Sequence, residues 1–311
     1  MKRLKKSLFL LTILAMAWSM GIAAAGAETV IRLGILPVVD VLPLLAAEEE
    51  GLFAEQGIKL ELVSFQSALE RDAALQADRL DGYFGDLLNT LLLIGSGRKL
   101  GIVTQAYHTN PRRRMFGLAV SEKSGITDLA GMKGKKTAIS RATVIEYVLD
   151  SILAAEGFDA DYVVKEEIKK IPIRLQMLLA NQVDAALLPE PLLSLAELKG
   201  AKVVADDRLA DMTLTVIALD RSLREKTPDV TARFAAAYKE AVRRINAAPD
   251  KYLGLLVAKT SFPKPLEKTY EMPIFPAWSQ PSARDVDHVQ DWLARNGIIK
   301  ARLSLADVVM D

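Results

Sequence analysis

From residue 30 to residue 219 the chain alternates short β-branched and aliphatic runs with longer amphipathic ones, and this alternation restricts the fold more than any single motif. Residues 30–36 read as a strand. Asp40 is placed to cap a helix that carries Pro43 in its first turn and runs to about residue 55, with Gly57 as the stop. Residues 58–64 read as the next strand and 68–80 as a helix. Residues 82–85 follow as a short strand, 86–94 as a helix closed by Gly95-Ser96-Gly97, and 100–104 as a fourth strand. This βαβαβαβ order predicts a mainly parallel sheet flanked by helices.

A second unit of the same construction begins after the polar, turn-prone residues 108–114. Its strands are expected at 115–120, 136–140, 162–168, 185–188 and 203–205, with helices at 143–156, 172–180 and 192–198. No repeat is visible at the residue level. A further apolar strand at 214–219 precedes a helical tail, with helices at 228–247, 249–259 and 282–296. If the tail packs back on the first unit, lobe 1 comprises 28–114 with 220–311 and lobe 2 comprises 115–219. The segments near 115–120 and 214–219 then form a two-strand hinge, which permits bending but restricts sliding.

The first 27 residues have a different character. Lys2, Arg3, Lys5 and Lys6 precede an uncharged apolar run, and Ala25-Gly26-Ala27 supplies a small-residue cleavage site. That order is a secretory signal, and its apolar run is short for a membrane span. The mature protein is expected to begin at Glu28. The chain contains no Cys, which excludes a disulfide framework, a thiolate metal site, a cysteine nucleophile and a lipid-modified cysteine. A soluble periplasmic protein is the expectation. Removing the four basic residues of the signal takes the 40 Lys and Arg to 36 against 39 Asp and Glu, a balance that favours neither nucleic acid nor an anionic membrane.

Catalytic and metal motifs are missing. His108 and His288 are the only histidines, zinc spacing is absent, and no G-x-S-x-G elbow occurs. Residues 131–137 fail the phosphate-loop spacing and read as a basic surface turn. Arg112-Arg113-Arg114 reads as a solvated run, as does Glu48-Glu49-Glu50 at a helix end. What remains is the set of strand-to-helix turns at 37–42, 85–88, 140–143 and 189–192. Ligands of open α/β sheets collect at such turns, where helix N-termini present free N–H groups. Ser140-Arg141-Ala142-Thr143 is the sharpest, although ordinary capping explains either hydroxyl equally well. Tyr83, Phe84, Tyr107 and Tyr147 are candidate aromatic walls or simple core.

Several of these segments, in this order, resemble a known family. They are residues 32–37, Pro43, 46–57, 126–131, 135–140, 182–186 and Pro189-Glu190-Pro191. Together they are similar to the periplasmic solute-binding proteins of ABC importers, in the group that binds nitrate, sulfonates, taurine or thiamine-pyrimidine precursors. The resemblance implies the two-lobed periplasmic-binding-protein fold (type II), with a ligand held between closing lobes and no catalysis. Its cleft turns map onto Pro37, Asp40, Gly85, Asp86, Tyr107, Ser140, Arg141, Thr143 and Glu190. Arg141 departs from the small residues usual at its turn. With the N–H groups of 140–143 it suits a sulfonate or carboxylate, whereas Asp86 and Glu190 suit a ligand bearing donors, such as an amino-pyrimidine on Tyr107 or Tyr83. A zwitterion satisfies both sets.

The expected protein is therefore an extracytoplasmic receptor that captures a small anionic or zwitterionic molecule. It delivers that ligand to an inner-membrane permease, as a monomer without cofactor or metal. The alternatives are a binder of a thiamine-pyrimidine precursor, a pyrimidine-precursor synthase-like enzyme, and a ligand sensor on the same fold. The synthase reading calls for a His and Cys constellation that this chain lacks.

Overall fold

A computed structural model describes residues 28–310, and the expected signal at 1–27 lies outside the described residues. β1 (Thr29–Ile35), β2 (Ile58–Ser64), β3 (Gly82–Asp86) and β4 (Leu100–His108) enter one sheet. A second sheet contains β5 (Phe116–Val120), β6 (Lys136–Ile139), β7 (Val164–Glu167), β8 (Ala185–Pro189) and β9 (Lys202–Asp206). β10 (Thr213–Asp220) returns to the first. The strand orders are β2-β1-β3-β10-β4 and β7-β6-β8-β5-β9, the same topology twice. β1 is parallel to β2 and β3, while β10 is antiparallel to β3 and β4. β6 is parallel to β7 and β8, while β5 is antiparallel to β8 and β9. Each sheet is thus mainly parallel, with one reversed strand: the one that arrives from the other sheet.

The hinge expectation needs correction on this point. Residues 116–120 and 213–220 are each embedded between two neighbours of one sheet, so neither strand is a connector. The chain passes between the sheets at 109–115 and 207–212 instead, and the first sheet regains it at 213 rather than 220. The two connectors are tied to each other. Thr109 N–H donates to Met212 O at 3.0 Å, and Met212 N–H to Thr109 Oγ1 at 2.8 Å. Met115 N–H donates to Asp207 Oδ1 at 2.9 Å. Asp207 is almost fully buried, and burial pushes its carboxyl up to about 7.

The helices are α1 (Leu42–Glu49), α2 (Leu52–Glu55), α3 (Ala68–Gln76), α4 (Leu87–Gly95), α5 (Val144–Ala155), α6 (Ile171–Leu179) and α7 (Leu192–Leu198). The tail adds α8 (Arg221–Lys226), α9 (Val230–Ala247), α10 (Leu253–Lys259), α11 (Ala283–Arg295) and α12 (Leu305–Val308). Side-chain caps set several starts: Ser67 for α3, Asp86 for α4, Thr143 for α5, and a reciprocal Ser282–Asp285 box for α11. Asp40 is not the expected cap. It lies in the short turn Val39–Val41 ahead of α1, and its carboxylate is engaged elsewhere. The helix expected to run unbroken to 55 is interrupted at Gly51, whose φ of 72 divides α1 from α2.

The tail packs back on the first sheet, as its apolar face requires. Phe234 of α9 meets Phe53 of α2 with ring centroids 4.8 Å apart, and burying one such ring stabilises by about 1.5–3 kcal/mol. A second core links the two sheets' helices: Tyr147, Leu149 and Ile152 of α5 join Val289 and Trp292 of α11 and Leu88 of α4. Trp292 Nε1–H donates to Asp150 Oδ2 at 2.9 Å within that core. Between α10 and α11 the chain runs as a coil with one short turn, Lys264–Leu266.

Candidate functional site

The carboxyl ends of β4 and β8 and the two connectors converge on a cavity of about 340 Å³. Arg112, Arg113 and Arg114 reach it from the first connector and Arg208 from the second. Glu190 and Ser194 come from the β8–α7 turn, and Thr269, Tyr270 and Glu271 from the C-terminal coil. The lining therefore draws on both sheets' surroundings and carries four guanidinium groups against two carboxylates.

Most of these charges are spoken for. Glu190 is nearly buried; its Oε1 lies 2.9 Å from Arg114 Nε, and its Oε2 accepts from Ser194 Oγ at 2.7 Å and Ser194 N–H at 3.2 Å. Burial pushes the Glu190 carboxyl up, against the pull of Ser194 and Arg114. Arg114 turns its remaining nitrogens to Glu197, and Arg208 is held by Asp206. Arg113 Nη1 lies 3.3 Å from Glu271, but its buried Nε has no hydrogen-bond partner. The exposed Arg112 guanidinium makes no ion pair among the described residues. An unsatisfied buried donor costs about 1–3 kcal/mol, which leaves Arg113 Nε as an unmet donor beside the exposed guanidinium of Arg112.

Two tyrosines stand beside this ring, Tyr270 in the lining and Tyr107 within electrostatic reach of it. Tyr107 is fully buried on β4, and its hydroxyl is pushed up by burial and by Asp207, Asp40 and Glu190. Tyr270 is pushed up by burial and by Glu190, Tyr107 and Asp40. Asp40, from the first sheet's body, and Glu190, from the second's, thus act on the same two tyrosines. Asp40 accepts from Thr215 Oγ1 at 2.7 Å, and burial lifts its carboxyl to about 6 despite that bond.

Of the expected site residues only Glu190 lines the cavity; Asp40 and Tyr107 are linked to it through their electrostatic effect on Tyr270. Asp86 is close enough to raise the Asp40 carboxyl, and it caps α4 through Asn89 N–H at 2.7 Å. Gly85 precedes it in β3, where an added Cβ would fall 2.3 Å from the Tyr83 ring. Pro37 occupies the half-buried bend after β1. Ser140, Arg141 and Thr143 belong to a different network. Arg141 N–H donates to Glu167 at 2.8 Å, Ala142 N–H to Glu146 at 2.7 Å, and Ile145 N–H to Thr143 Oγ1 at 3.2 Å. Thr143 Oγ1 donates to Ser140 O at 2.8 Å, and the Arg141 guanidinium donates to Lys165 O at 2.8 Å. Two of the four N–H groups expected to hold an anion there, those of Arg141 and Ala142, are occupied by the protein's own carboxylates.

Arg112–Arg114, read from sequence as solvated, line the cavity: Arg112 is exposed as read, whereas Arg113 and Arg114 are half-buried. Their usable signal was position: a basic run directly after a strand end, in the segment that must cross between units. Arg208 and Tyr270 carried no comparable signal. Among the described residues no cluster of three or more His, Asp and Glu is arranged to hold a metal.

Two like-ordered sheets, joined by two connectors beside a polar cavity, are the architecture of the periplasmic binding proteins. The periplasmic aliphatic sulphonate binding protein SsuA of Escherichia coli superposes with a TM-score of 0.76 at 18% identity, over 91% of this chain and 98% of that one. The alkanesulfonate-binding protein SsuA of Xanthomonas axonopodis pv. citri, bound to MOPS, gives 0.75 at 18% identity, over 92% and 99%. The fold also carries the desulfurization enzyme DSZB, with a TM-score of 0.65 at 18% identity over 90% and 96%.

The chain belongs to the NMT1-like family, whose description fits residues 24–252. A protein of Bacillus subtilis (strain 168) named for binding aliphatic sulfonates is 29% identical over 238 residues, which cover 71% of this chain and 68% of that protein.

Proposed function

We propose that this protein is the periplasmic receptor of an ABC import system and that its ligand is a small organic anion, with sulfonates first among the candidates. The observation that carries the reading is the arginine-rich cavity between the sheets, with Arg112 unpaired and Arg113 Nε unsatisfied. The sulfonate-binding relative and neighbours support the same ligand class. Residues 28–108 with 213–310 act as one lobe and 116–206 as the other, bending at the tied connectors. A ligand that touches both lobes only when they are closed shifts the population toward closure, and the closed form docks on a membrane permease. Asp40 and Tyr107 stand behind the lining on the first lobe's side, within electrostatic reach of Tyr270, and Glu190 orients Arg114 on the other.

The reading is of binding without turnover, which the binding relative and neighbours support. The cavity lining has no histidine, cysteine or lysine, and its buried carboxylate is committed to Arg114 and Ser194. His108 does not line the cavity; its Nε2 lies 3.1 Å from Asp211 Oδ1, at the hinge. The test is a thermal-shift screen against short alkanesulfonates, carboxylates, amino acids and pyrimidines, because a ligand selective for the folded state raises the melting temperature. A sulfonate hit is expected. An uncharged pyrimidine as the only hit would overturn the ligand class, and silence across the panel would overturn the receptor reading.

A further inference from the structure

The C-terminal coil crosses the cavity as a strap. After α10 it turns through Lys264–Leu266, where it packs against α7 of the second sheet's body, and Leu266 and Leu195 share one apolar cluster. It is anchored again at Phe275, whose N–H bonds Asn246 Oδ1 at 3.1 Å and whose carbonyl accepts from Asn246 Nδ2 at 2.8 Å. Between these anchors Tyr270 packs on Phe262, ring centroids 5.1 Å apart, and Glu271 places a carboxylate oxygen 3.3 Å from Arg113 Nη1.

We propose that Glu271 is an internal competitor for the ligand's anionic group, and that its side chain swings away when an anion takes Arg113 from it, the anchored strap staying in place. This rests on the reading of the cavity as the site of an anionic ligand. The Arg113–Glu271 contact is single and long, and both side chains are solvent-exposed, 39% and 71%, so it is a weak pair. A small anion reaching the same guanidinium has the unsatisfied Nε beside it and makes two charge-assisted bonds where Glu271 makes one. The competitor also keeps the guanidinium neutralised on a surface where it would otherwise attract any passing anion. Only an anion whose remaining atoms fit the rest of the lining gains enough to displace the Glu271 carboxylate.

The experiment is calorimetric titration of ethanesulfonate into the wild type, Glu271→Gln and Glu267→Gln. Glu267 is exposed on the same strap and makes no ion pair among the described residues, so its variant removes an equal charge without touching Arg113. Glu271→Gln is expected to bind about two- to fivefold more tightly than wild type, the range an exposed ion pair supports, and Glu267→Gln to stay near the wild type. The Glu271→Gln advantage should shrink in high salt, where exposed charges are screened. Binding by all three with equal affinity, or weaker binding by Glu271→Gln, overturns the competitor while leaving the receptor reading intact. No heat from any of the three overturns the sulfonate reading and the competitor with it.

Discussion

Replacing Arg114 by Met removes the partner of the most deeply placed carboxylate in the cavity. Glu190 Oε1 lies 2.9 Å from Arg114 Nε, and the Glu190 side chain is only 5% exposed. Breaking a buried pair from one side costs about 3–5 kcal/mol, because the remaining charge stays desolvated. Two features reduce that figure here. Ser194 still donates twice to Oε2, and Arg114 is itself 22% exposed, so its own desolvation is partly recovered. We therefore expect Arg114→Met to lose about 2–4 kcal/mol at pH 8. The Glu190 carboxyl already sits above its ordinary value through burial, and without Arg114 it rises further. A buried acid with a raised folded-state pKa binds more protons folded than unfolded. Its favourable contribution is present below the unfolded value and is lost as pH rises through the folded one. The deficit of Arg114→Met should accordingly shrink at pH 5 and reopen toward pH 8. Urea denaturation at both pH values measures it, and Arg114→Met/Glu190→Gln should recover most of the loss. A deficit below about 0.5 kcal/mol at pH 8, or one of equal size at both pH values, would refute the reasoning.

Two other perturbations follow from the same geometry. Asp40 has a folded-state carboxyl near 6, above its ordinary 3.8, so the stability it supports is greatest below pH 4 and is lost as pH rises through 6. Asp40→Asn keeps an acceptor for Thr215 and should be more stable than wild type by about 1–3 kcal/mol at pH 8, with the gap closing by pH 4 in thermal denaturation. Trp292→Phe leaves Asp150 Oδ2 without its indole donor inside the core that links the two sheets' helices, and should cost about 1–3 kcal/mol in urea denaturation.

The legible and illegible parts of this fold differ in how far apart their interacting residues lie. The ten strands read from sequence carry local signals, mostly short apolar or β-branched runs bounded by Gly or polar turns. The run at 214–219 is equally plain as a strand, but its partners are β3 and β4, more than a hundred residues earlier, and nothing in Leu214–Leu219 says which sheet receives it. The hinge was misplaced for that reason. Asp40 fails in a similar way. An Asp ahead of Pro43 is a sound cap signal, yet the side chain bonds Thr215 across 175 residues of sequence. Arg113 and Arg114 look solvated because their acidic partners, Glu271 for the first and Glu190 and Glu197 for the second, are all distant in sequence. Arg141 looks available for an anion because the Lys165 carbonyl that accepts from it, and the Glu146 and Glu167 that occupy its turn, are visible only once α5 and β7 are packed. Of the residues the family resemblance implies, Glu190 is the one that lines the cavity, and no spacing in the sequence singles it out.

The central claim is that the guanidinium groups of the first connector hold an anionic ligand between the sheets. Calorimetric titration of ethanesulfonate into the wild type and into Arg112→Ala/Arg113→Ala tests it most directly. Both side chains are partly or fully exposed, so the double variant should keep the wild-type circular dichroism. Two charge-assisted bonds are worth about 1.5–3 kcal/mol each. The account predicts saturable one-to-one binding by the wild type and a loss of about 100-fold or more in the double variant. Undiminished binding by Arg112→Ala/Arg113→Ala would contradict it.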